Sequence, residues 1–98
     1  MNDALDNPIL GRLLSQIKAF RLGQLDLPSL QYEFNGAEGA LDGSVSRRIR
    51  DAVTHTEGEI DFASVSTSRA QQRASALEAL DAFEALIESE YRGPSSTT

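Results

Sequence analysis

The chain has 98 residues, no cysteine, a single histidine and a formal net charge of −6. This is one domain's length, and the inventory excludes a disulfide framework, a thiolate metal site, a cysteine nucleophile and a multi-histidine metal centre. No apolar run approaches the ~18 residues of a membrane span, the start MNDALDNP is unlike a secretory signal, and an acidic balance argues against nucleic acid as the direct partner, so an acidic protein of the cytoplasm is expected.

The first periodic segment opens at Asn7-Pro8. Asn is a good N-cap, and Pro suits a first helical turn because its missing donor would be unpaired there. Ile9, Leu10, Leu13, Leu14, Ile17 and Phe20 follow at the spacing of one helix face. Gly23 provides a stop, so helix 1 is expected over residues 8–22. In LDLPSLQYEF, Asp26 or Leu27 caps a second helix and Pro28 lies in its first turn. Its stripe is Leu27, Leu30, Phe34, Ala37 and Leu41, predicting a helix over 28–41. Gly36 and Gly39 weaken it by about 1 kcal/mol each, and they could let a neighbour approach closely. Asp42-Gly43 is a turn signal.

Ser44 is placed to cap a third segment, over 45–64. Val45, Ile49, Ala52, Val53, Thr56, Ile60 and Ala63 keep helical phase. Gly58, inside Glu-Gly-Glu, marks a kink or an early end, but Ile60 and Ala63 stay in phase with Ile49 and Thr56, which favours one helix. SVSTS is a loop. A fourth helix, over 69–91, is rich in good helix formers. Its apolar side gathers Ala76, Leu80, Phe83 and Ile87, flanked by Leu77, Leu86 and Tyr91, and Gly93-Pro94 ends it.

Four helices with short connections and no period-2 alternation predict an all-α fold, a small antiparallel four-helix bundle. Residues 8–92 form the bundle, 1–7 an N-terminal extension and 93–98 a disordered polar tail. About three quarters of the chain is expected to be helical.

The surface is conspicuous for its acids. Asp81, Glu84 and Glu88, joined by Glu78, occupy about 120° of helix 4. Glu57, Glu59 and Asp61 cluster at the expected kink, and Glu33, Glu38 and Asp42 on helix 2. Like charges at these spacings repel, so a compensating cation is expected, and a basic partner is one source of it. A solvated face is the plain alternative for any single cluster. Glu-x-x-His spacing, Gly-rich phosphate loops and a nucleophile–base pair are all missing from the sequence, so no cofactor, no metal site and no catalysis are expected. His55 reads as a partly exposed residue. Arg47, Arg48 and Arg50 adjoin Asp51, and Arg47 and Asp51 have the spacing of a helical ion pair; pairing with acids of helix 2 or 4 is preferred over contact with nucleic acid. Phe20, Phe34 and Phe83 fit core stripes, whereas Tyr32 and Phe62 lie off theirs, next to Glu33 and Asp61, as interface anchors would.

The stretch LLSQIKAFRLGQLDLPSLQYEFNGAEGALDG combines a helix ending in phenylalanine, a short Gly-bearing turn and a Leu-Pro-started helix with an acidic aromatic face. Over residues 9–43 it resembles small bacterial immunity proteins of the helical colicin-immunity type, and small proteins encoded beside polymorphic toxins. The two glycines of helix 2 and the Glu-Gly-Glu break depart from that pattern. The resemblance implies an acidic helical bundle that binds a cationic toxin domain, often a nuclease, and blocks it.

The expected function is therefore a non-catalytic, protein-binding inhibitor, with Glu57, Glu59, Asp61, Asp81, Glu84, Glu88, Tyr32 and Glu33 as its partner-binding residues. A self-associating helical adaptor, for which a homodimer would be the natural form, and a phage-type inhibitor that mimics nucleic-acid charge are the alternatives. Eight arginines against one lysine are in keeping with a bacterial source.

Overall fold

The computed structural model describes residues 7–41, 45–65 and 68–92, with Tyr91 and Arg92 described through their backbone alone. The extension before Asn7, the Asp42-Gly43 turn with Ser44, part of the SVSTS loop and the tail after Arg92 lie outside the described residues.

Local chemistry starts each helix. Asn7 caps α1 (Pro8–Arg21), its Oδ1 accepting from the backbone N–H groups of Ile9 at 3.0 Å and Leu10 at 3.1 Å. Asp26 caps α2 (Leu27–Ala40), accepting from Ser29 N–H at 2.9 Å. For α3 (Arg47–Ser64) the cap is Ser46, not Ser44: its Oγ accepts from Ile49 N–H at 3.2 Å, and Val45 stays buried just ahead of the helix. The Oγ of Ser68 accepts from Gln71 N–H at the start of α4 (Arg69–Arg92). Helices take up 86% of the described residues, with no strand among them.

α1 ends in a Schellman turn. Gln24 N–H reaches back to the Ala19 carbonyl at 2.8 Å, and Gly23 N–H to Phe20 at 3.0 Å. The turn requires Gly23 at φ +77°, the left-handed region. Space is not the reason for glycine, since a Cβ there would meet nothing within 4 Å. Gly23→Ala is therefore expected to cost about 1–2 kcal/mol through the backbone conformation alone, read as a lower urea midpoint with unchanged m-value.

Asp26 carries a pH signature. Hydrogen bonds from Ser29, first its hydroxyl and then its backbone amide, hold the Asp26 carboxyl below the ordinary aspartate range. A depressed folded pKa means that the cap's charge-dependent stability is fully present above the unfolded value of about 3.9 and is lost as pH falls through the lower, folded value. Asp26→Asn keeps a capping oxygen and removes the charge. Urea melts from pH 6 down to pH 3 should show the wild-type advantage over D26N shrinking.

The connectors at 22–26, 41–46 and 65–68 are short, which makes successive helices antiparallel. Between α3 and α4 the direction is visible in the cross-links: Arg48 and Ser46 meet Glu90 at 3.3 and 2.9 Å, while the Gln72 side chain reaches the Ser64 carbonyl at 3.3 Å. α1 packs on α2, α2 on α3, α3 on α4, and α4 returns to α1. The bundle measures 45 × 28 × 22 Å.

One stripe from each helix fills the interior. The core holds Leu10, Leu13, Ile17 and Phe20 of α1; Leu27, Leu30, Phe34 and Ala37 of α2, with Leu41 just beyond its end; Ile49, Val53 and Ile60 of α3, with Val45 just before it; and Ala76, Leu80, Phe83 and Ile87 of α4. Ile9, Leu14, Ala52, Leu77 and Leu86 are partly buried at its margin. At the centre Phe34 meets Phe83 edge to face, ring centroids 5.3 Å apart at 71°, so α2 and α4 touch across the diagonal. α4 is also clamped to the end of α1. The Arg73 guanidinium lies 4.9 Å from the centroid of the Phe20 ring and donates to the Arg21 carbonyl at 2.9 Å, where the helix dipole favours a cation.

α3 runs unbroken through Gly58. Nor do Gly36 and Gly39 serve a close approach: a Cβ at either, or at Gly58, would meet nothing within 4 Å.

Candidate functional site

At 100° per residue a helix distributes its side chains among different seams of the bundle, and the acids separate accordingly. On α2, Glu33 turns towards α1, where Arg12 grips both carboxylate oxygens at 2.9 and 3.1 Å. Its neighbour Tyr32 points outward and is 76% exposed. On α4, Asp81 and Glu84 turn towards α1 and share the guanidinium of Arg21, with Asp81 at 2.8 Å. The hydrogen bond to Glu84, more than any other influence, holds Arg21 above the ordinary arginine value, against the opposing pull of partial burial. Glu88 lies on the same flank of α4 and is exposed.

The α3 cluster divides as well. Residues two apart on a helix point about 200° from each other, so Glu57 and Asp61 face α2 while Glu59 faces the α4 side, 3.3 Å from His55 Nε2. Thus the eight expected residues do not form one face. Asp81 and Glu84 lie on the α1–α4 seam, Glu57 and Asp61 on the opposite α2–α3 seam, Glu33 between α1 and α2, and Glu59 between α3 and α4. Much of the compensation that the acids call for is internal: Arg12, Arg21, Arg47 with Asp51 at 3.8 Å, and Arg48 with Glu90 at 3.3 Å.

Glu57 and Asp61 are treated differently. Both accept from one neutral donor, the Gln31 side-chain amide, at 3.3 and 2.9 Å. Two carboxylates therefore stand within reach of a single nitrogen, and among the described residues neither pairs with a lysine or arginine. An amide satisfies lone pairs without cancelling charge, so the pair keeps its full negative field. Gln31 is a site residue that the charge pattern of the sequence does not mark. Its signal is its position at the flank of the α2 stripe, four residues before the inert-looking Asn35 and one before Tyr32, where a long amide can span a helix seam.

Among the described residues no three His, Cys, Asp or Glu side chains are arranged to hold a metal ion, and no helix is long and apolar enough to cross a membrane. Compared with known protein families, with curated proteins and with solved structures, the chain matches none.

Proposed function

We infer that the protein is a non-catalytic, cytoplasmic inhibitor of the immunity or antitoxin kind, which neutralises a basic protein through the surface shared by α2 and α3. The observation that carries this reading is the Glu57–Asp61 pair, bridged by the Gln31 amide and without a lysine or arginine partner among the described residues. A lysine or arginine of the partner, placed between the two carboxylates, makes charge-assisted hydrogen bonds. The exposed Tyr32 ring offers the apolar anchor and a cation–π face. Complementary charge speeds encounter and makes it salt-sensitive. Asp81, Glu84 and Glu33, already gripped by arginines, contribute less.

The test is affinity capture from the source cells with the tagged full chain as bait, at low and moderate salt, beside the Glu57→Gln/Asp61→Asn variant. A basic protein held by the wild type, released at moderate salt and held weakly by the variant is the expected result. Capture of no basic protein, or equal capture by both baits, would overturn it.

A further inference from the structure

We draw no further inference here: the strongest candidate, the groove between the outer sides of α3 and α4 with Phe83 and Leu86 in its walls and the exposed Phe62 at its edge, carries none, because the arginines that line it, Arg47 and Arg48, are paired within the chain with Asp51 and Glu90 and nothing in the structure shows what covers it.

Discussion

Phe34→Ala and Phe83→Ala are each expected to destabilise the protein by about 3–5 kcal/mol, the range for emptying a buried aromatic site. Phe34 is 0% exposed and Phe83 2%, and their edge-to-face contact is where α2 and α4 meet across the bundle. Both rings belong to the one core cluster to which all four helices contribute, so truncating either leaves a cavity inside the bundle. A domain of this size has roughly 5–15 kcal/mol in hand, so either variant should sit close to its unfolding threshold at 25 °C. The rings should also couple. In a double-mutant cycle the second truncation should cost less than the first by about 0.5–1.5 kcal/mol, the worth of an aromatic pair beyond its buried area. Urea denaturation checks both figures. A cost below about 1.5 kcal/mol for either single variant, the level of a volume-conserving swap, would mean that the rings are not packed at the centre.

Gly58 gives the second large effect, and its sign depends on the substitution. Gly58→Pro is expected to cost about 3 kcal/mol or more. It removes the backbone donor from the middle of α3 and drives the ring against the carbonyl one turn back. Gly58→Ala should do the opposite and stabilise the protein by about 0.5–1 kcal/mol, because the new methyl meets nothing within 4 Å and the unfolded chain loses freedom. A chain that bent or ended its helix at Glu-Gly-Glu would tolerate the proline and gain nothing from the alanine. Continuity at this residue also fixes the surface. Only an unbroken helix sends Glu57 and Asp61 to α2 and Glu59 to α4, so G58P should also disperse the carboxylate pair.

The bundle was legible because each of its helices carries one apolar stripe in a single phase. The residues expected inside α2 are buried without exception, and those of α3 are too, apart from a half-buried Ala52. Tyr32 and Phe62, which fall out of phase, are exposed. Helix ends were less legible where two signals compete. Ser44 and Ser46 both precede an apolar run, and which one caps depends on whose hydroxyl can reach an amide three residues on; Ser46 does, at Ile49. The surface was the least legible. Spacing along one helix shows which acids share a flank, but it does not show what the facing helix presents there. Asp81 and Glu84 look like a free acidic face until α1 delivers Arg21, 60 residues earlier in sequence than Asp81. Glu57 and Asp61 look equivalent to Glu59 until α2 supplies an amide instead of a cation. Pairing of this kind is set by the helix order and register, which the apolar pattern specifies only indirectly.

The most direct measurement compares two matched charge removals in the same assay. Glu57→Gln/Asp61→Asn and Asp81→Asn/Glu84→Gln each delete two carboxylates, so they change the net charge equally. Binding of the captured basic partner to both variants and to the wild type, by calorimetry at low salt, separates a specific pair from overall charge. The predicted result is a loss of more than about tenfold in affinity for the first variant, as expected for a desolvated charge pair, with the second close to wild type. Equal losses would make net charge alone the determinant, and a larger loss for the second would place the partner on the α1–α4 seam; either result would contradict the account.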